Sequence, residues 1–208
     1  MRSRGLLPLL ALLALVACKG DRKAPPKKAA VRRFAAVEAA PAKEAESRFC
    51  ERVYPPTGTD ARPYKPPPIR ATLNDGANGL SPGAKAWTWV NVWATWCAPC
   101  MDEMALLGRW RDALQKDGVP VRLTLLSVDD PKDEDALKKA VASGLSGPVP
   151  WLRSPDDLPA FLEGLGVDKT AALPVHALVD ADNHVRCVRI GAIHDRDYGA
   201  VKAMLSGG

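Results

Sequence analysis

The 208-residue sequence predicts an α/β domain, a central mixed sheet flanked by helices. Three observations predict it. The run Trp87–Trp93 is almost continuously β-branched or aromatic, as suits a strand covered on both faces. A helical pattern over residues 100–110 follows at once, and a second buried run, 119–128, follows that, which makes a parallel βαβ half. Near the carboxyl end, Val175–Val179 and residues 185–190 flank Asp180-Ala181-Asp182-Asn183, the pattern of a β-hairpin.

The junction of the first strand and helix carries the chemistry. Trp96-Cys97-Ala98-Pro99-Cys100 places two cysteines, two residues apart, where the strand ends and the helix starts. Pro99 suits a first helical turn, and Asp102 and Glu103 are expected in that turn, where acids suit the helix dipole. Amide N–H groups and the positive helix end stabilise a thiolate at Cys97. The pair can close a small disulfide ring, a redox dithiol. Half of a zinc site is the competing reading, but no second C-x-x-C, C-x-H or H-x-x-x-H occurs to complete it.

These residues, VNVWATWCAPC above all, resemble the thioredoxin superfamily, and within it the membrane-tethered TlpA/ResA-like thiol-disulfide oxidoreductases of bacteria. The resemblance covers about residues 66–205 and implies a thioredoxin-like fold without a cofactor. It implies dithiol-disulfide exchange, with Cys97 as attacking thiolate and Cys100 as resolving thiol, beside Trp96. It also implies a cis peptide at Leu173-Pro174, packed against the disulfide, barring metals and presenting backbone to a substrate strand; a trans proline opening an edge strand is the alternative. Cytoplasmic thioredoxins keep an aspartate beneath the cysteines, where this chain has Asn91. Glu103 matches a family acid thought to take the proton of Cys100, its alternative role being a helix-dipole acid in solvent. Two departures are Ala105, where many relatives have a helix-kinking proline, and Val175-His176-Ala177, where hydroxyl residues and an aromatic usually follow the cis-proline. The expected partners are protein disulfides or thiols, apocytochrome c among them, and a membrane thiol donor such as a DsbD/CcdA-like protein. Nothing between the cysteines marks a strong oxidant, so the resemblance favours a reductase.

The amino terminus points to export. Arg2 and Arg4 precede an apolar stretch over residues 6–16, too short to span a bilayer and suited to a signal peptide. Leu15-Val16-Ala17-Cys18 looks like a bacterial lipobox, so residues 1–17 are expected to be removed and Cys18 to be lipidated, anchoring the chain to the bilayer; ordinary secretion is the alternative. Residues 18–47, rich in Ala, Lys, Pro and Arg, are expected to form a flexible tether, with a transient helix over 32–40 ended by Pro41. The domain then spans 48–208, in the cell envelope and facing the periplasm. The net charge of +5 is concentrated in the leader and tether. With no basic, aromatic-interleaved stripe on the domain, nucleic acid is not an expected partner.

Within the domain, residues 48–83 hold seven prolines that exclude long helices and central strands, and Asn74-Asp75-Gly76 and Asn78-Gly79 are turn signals able to close a hairpin. An insertion between the two halves is expected at 131–166, with helices over 133–143 and 157–165 around a short extended piece at 149–152. Residues 197–205 make the last helix. Setting aside Cys18 and the redox pair leaves Cys50 and Cys187, an even remainder that an oxidising compartment would pair; two free buried thiols are the alternative. His176, His184 and His194 are scattered and are not expected to bind metal. A copper-binding chaperone or a non-catalytic partner-binding lipoprotein is the alternative from another class.

Overall fold

The computed structural model describes residues 42–74 and 85–207. The leader, Cys18, the expected helix at 32–40 and the turn signals of 75–79 lie outside the described residues. The elements in order are α1 (Ala42–Phe49), β1 (Arg52–Val53), β2 (Arg62–Pro63), β3 (Ile69–Thr72), β4 (Trp87–Trp93), α2 (Ala98–Lys116), β5 (Val121–Ser127), α3 (Glu134–Ala142), β6 (Pro150–Leu152), α4 (Leu158–Leu165), β7 (Val175–Val179), β8 (His184–Ile190) and α5 (Tyr198–Ser206). Short 3₁₀ turns, each entered from a capping residue, lead into α3, α4 and α5.

The sheet order is β1-β8-β7-β4-β5-β6-β3, with β2 also on β8. β4 lies at its centre, parallel to β5 and antiparallel to β7, and every residue of it except Thr88 is buried. That explains its composition: a strand with neighbours on both edges and helices over the sheet has no solvent side to give to polar residues. Register puts Trp89, Asn91 and Trp93 on one face together with His176 and Leu178 of β7. Helices α1, α2 and α5 cover this face: Trp89 packs edge-on against Phe49 and obliquely against Trp110, and Trp87 donates its indole N–H to Leu205 O.

The insertion is part of the sheet rather than an appendage. Its strand β6 runs parallel to β5, and α4 brings Phe161, Leu162 and Leu165 into the core. On α3 Leu137 is fully buried and its neighbour Ala136 is exposed, because a nine-residue helix at the sheet margin buries only a narrow stripe. Among the described residues no helix is long and apolar enough to cross a membrane.

The proline-rich extension is a strap. Its two-residue strands β1 and β2 line the outer edge of β8, and β3 lines the opposite edge on β6. On the way it crosses α4, where Tyr54 donates its hydroxyl to Leu165 O and Tyr64 packs edge-on against Phe161. Gly166 makes the first contact possible: it ends α4 in the left-handed conformation, φ 82°, and a side chain there would collide with the Tyr54 hydroxyl. At its front, α1 begins inside the stretch expected to be tether. It is held by buried Phe49, by packing on α5, and by a disulfide joining Cys50 to Cys187 of β8, with Cα atoms 5.4 Å apart.

Candidate active site

Cys97 is the N-cap of α2. Its Sγ accepts the Cys100 amide N–H at 3.3 Å, and a disulfide joins the two residues, Cα atoms 5.3 Å apart. The helix begins at Ala98, earlier than expected, so Asp102 and Glu103 belong to its second turn and the dipole role expected for them there is lost. The loop feeding the cysteines is held from below by Asp129, a buried carboxylate just beyond β5. It accepts the Thr95 amide at 3.0 Å and the Thr95 hydroxyl at 2.6 Å, and also the Ser127 hydroxyl at 2.8 Å. The backbone carbonyl of Asp129 takes the Trp151 indole N–H at 2.7 Å, tying this support to the insertion.

The two sulfurs face different surroundings. Cys97 is 5% exposed and Cys100 fully buried. Beside Cys97 runs a groove of about 500 Å³, walled by Trp96, Ala98 and Pro99 on one side and by Leu158, Leu162 and residues 169–173 on the other. Trp96 is 64% exposed at its rim. The Leu173-Pro174 peptide bond is cis, and Pro174, buried at the start of β7, gives its carbonyl to the Gly191 N–H at 2.8 Å.

Behind Cys100 lies a buried polar cluster. Glu103 is 3% exposed, which removes the reading of it as a solvent-facing dipole acid: a helix starting at Ala98 turns this position inward onto the sheet. Its Oε1 accepts Asn91 Nδ2–H at 2.9 Å and its Oε2 accepts the Ile193 amide at 2.9 Å. His176, fully buried, brings Nε2 to 3.4 Å from Oε1, out of line for a hydrogen bond, while Trp89 Nε1–H donates to Nδ1 at 3.1 Å. Glu103 also floors a second cavity, about 390 Å³, opening between α2 and residues 192–195 and rimmed by Asp102, Arg109, His194 and Asp195.

No family model matches the chain, and no curated protein matches it. Solved structures do. A secreted thiol-disulfide isomerase from Corynebacterium glutamicum aligns with a TM-score of 0.51 at 21% identity, over 74% of this chain and 96% of its own. A thioredoxin-related protein from Neisseria meningitidis serogroup B aligns at 0.50 and 18% identity, over 71% of this chain and 99% of its own. A further thiol-disulfide isomerase from Corynebacterium glutamicum aligns at 0.50 and 20%, over 69% and 95%. The fold is thioredoxin-like.

At these identities the likeness carries the fold, and the chemistry rests on this chain's own residues. The thioredoxin-like frame brings Cys97, Cys100, Trp96, Leu173 and Pro174 to one end of the sheet, with Asn91 and Glu103 behind them. Cys50 and Cys187 lie apart, between α1 and β8. The three histidines do not converge: His176 is in the buried cluster, His184 begins β8 and His194 is in the loop before α5. Two site residues escape a reading of the sequence. Asp129 looks like a strand-ending acid until Thr95 is folded onto it. His176 has one signal, a histidine in the middle of an apolar strand, where an imidazole needs partners.

Proposed function

We propose that the protein is an extracytoplasmic thiol-disulfide oxidoreductase of the TlpA/ResA-like kind, tethered to the membrane through Cys18 and acting as a reductase of protein disulfides. One observation carries the proposal: a disulfide at the N-cap of a helix, with one sulfur at the edge of an open groove and the other fully buried, three residues before a buried carboxylate on the same helix. In the reduced protein the Cys97 thiolate attacks a client disulfide, forming a mixed disulfide and expelling one client thiolate. Cys100 then loses its proton and attacks Cys97 Sγ, which expels the second client thiol. The client gains two electrons and Cys97-Cys100 is oxidised.

Glu103, three residues past Cys100 on the same helix, takes the Cys100 proton. Its second cavity gives that proton a way to solvent that does not cross the client groove. The groove suits an extended peptide laid between Trp96 and the Leu173-Pro174 segment, its apolar walls gripping side chains without reading sequence closely. Oxidised protein must be recharged by a thiol donor, and a DsbD/CcdA-like membrane protein is the class that fits a tethered envelope protein, with apocytochrome c among the clients. The apolar leader and the Leu15-Val16-Ala17-Cys18 sequence support the envelope location and lipid anchor.

Reduced protein should reduce insulin, and its Cys97-Cys100 couple should lie well below about −200 mV; a couple near about −120 mV would make it an oxidase instead. Cys100→Ser should accumulate mixed disulfides through Cys97, read as client adducts on non-reducing gels. Equal trapping through Cys100 in Cys97→Ser would reverse the assignment of nucleophile.

A further inference from the structure

We propose that His176 is a positioning residue for the exchange reaction, holding the Glu103 carboxylate in place as the acceptor of the Cys100 proton. The inference rests on the oxidoreductase reading and adds to it a residue that acts through Glu103. It begins with an indole. Trp89 Nε1–H can only donate, and it points at His176 Nδ1 at 3.1 Å, so Nδ1 is an acceptor and carries no proton. Asn91 Nδ2, 3.4 Å from the same nitrogen, gives it a second donor neighbour. The neutral ring therefore carries its proton on Nε2, which lies 3.4 Å from Glu103 Oε1, out of line for a hydrogen bond, and has no hydrogen-bond partner.

A fully buried N–H is costly to leave unmatched, and the carboxylate beside it is the acceptor that a small turn of the ring would give it. The charged and titratable groups facing the pair come from three sides. From α2 come Glu103 itself and, at the rim of its cavity, Asp102 and Arg109, with His194 and Asp195 across that cavity, and from β4 only the uncharged Trp89 and Asn91. Across from His176 on β8 stands Arg189, whose guanidinium is directed away, donating to Phe49 O at 3.2 Å and Ala192 O at 3.0 Å, with Asp197 at 3.7 Å. From the loop before α5 comes the Ile193 amide. Glu103 thus has three N–H groups around it, two hydrogen-bonded from β4 and the 191–194 loop and the third, from β7, within 3.4 Å and out of line. Because Nε2 carries the proton and the basic Nδ1 is taken by the Trp89 indole, His176 is not set to take the Cys100 proton itself.

The test compares wild type, His176→Leu, His176→Gln, Glu103→Gln and the double variant His176→Leu/Glu103→Gln, reading the rate of thiol-disulfide exchange against pH and the pH dependence of the Cys97-Cys100 potential in glutathione buffers. His176→Leu should slow exchange about tenfold, a part of what a general base contributes, and change the pH profile, since the carboxylate loses the N–H group beside it. His176→Gln, whose amide can accept from Trp89 and donate to Glu103, should recover most of the rate. In the double variant the histidine change should add nothing to the loss from Glu103→Gln. A pH profile unmoved by His176→Leu, or losses that multiply in the double variant, would overturn the inference. Should His176→Leu not fold, ¹⁵N spectra of the wild-type imidazole decide: an Nε2–H tautomer supports it and an Nδ1–H tautomer or imidazolium refutes it. A wild-type protein that exchanges with no thiol would instead sink the oxidoreductase reading itself.

Discussion

Both oxygens of Glu103 accept N–H groups, so replacing it with glutamine cannot be silent in the fold. Turned one way the new NH₂ meets the Ile193 amide, donor against donor; turned the other it faces Asn91, which must swing its unpartnered Oδ1 inward and give up its own donation, at a cost of about 1–3 kcal/mol. Glu103→Gln should therefore lower the melting temperature as well as slow exchange by about 10² or more and flatten its pH dependence. Loss of stability with an unchanged pH–rate profile would leave Glu103 a packing group and remove it from the mechanism. A solvent-facing acid would behave oppositely on both counts. The difference between the two expectations comes from where α2 starts: beginning at Ala98, it carries Glu103 inward, and the residue pattern around Pro99 is equally compatible with a later start. Residue identity reveals the redox pair because two cysteines at that spacing have few uses, whereas Asp129 and His176 acquire roles only from partners 34 and 87 positions away in Thr95 and Trp89.

Elements differ in how plainly their residues announce them. β4, α2 and the β7–β8 hairpin are long or sharply bounded, and their burial follows from composition. A two-residue strand such as β1 or β2 has no periodicity to detect; it exists because β8 offers an unpaired edge. The helix α1 is similar, since eight residues are too few to be helical alone and must borrow stability from α5 and from Cys50. Replacing Cys50 and Cys187 together by alanine should cost about 2–5 kcal/mol, given the 137 residues the bond spans, and lower the melting temperature by roughly 5–15 °C. No change in melting temperature on that replacement would show that the bridge constrains nothing. The strap has its own reporter. Burial against α4 pushes the Tyr64 phenol from 10.0 up to about 12. Its folded value lies above its unfolded one, so its share of stability is whole below pH 10 and is lost as the pH rises from there towards 12. In a tyrosinate absorbance titration Tyr64→Phe should delete the phenol that ionises near pH 12; survival of that late step in the variant would mean the strap is not held by this ring.

For the whole molecule, the order of halves and the place of the insertion follow from the succession of apolar runs, because each strand must alternate with a cover of its own. What no run of residues conveys is that a single extension reaches both margins of the sheet, a matter of three-dimensional distance. The pairing of the cysteines has a further consequence, for the birth of the protein. In chain order the four are 50, 97, 100 and 187, and the bonds are nested, the 97–100 bond inside the 50–187 bond. If the protein is exported as proposed, its chain, threaded amino end first into an oxidising compartment, exposes Cys50 long before Cys187, and every cysteine that emerges between them belongs to the other pair. Oxidation in order of arrival would weld Cys50 to Cys97 and stall the fold. Ring closure over 3 residues is far quicker than over 47, so the active-site pair, by shutting on itself, takes the wrong partners out of reach while Cys50 waits for the end of the chain.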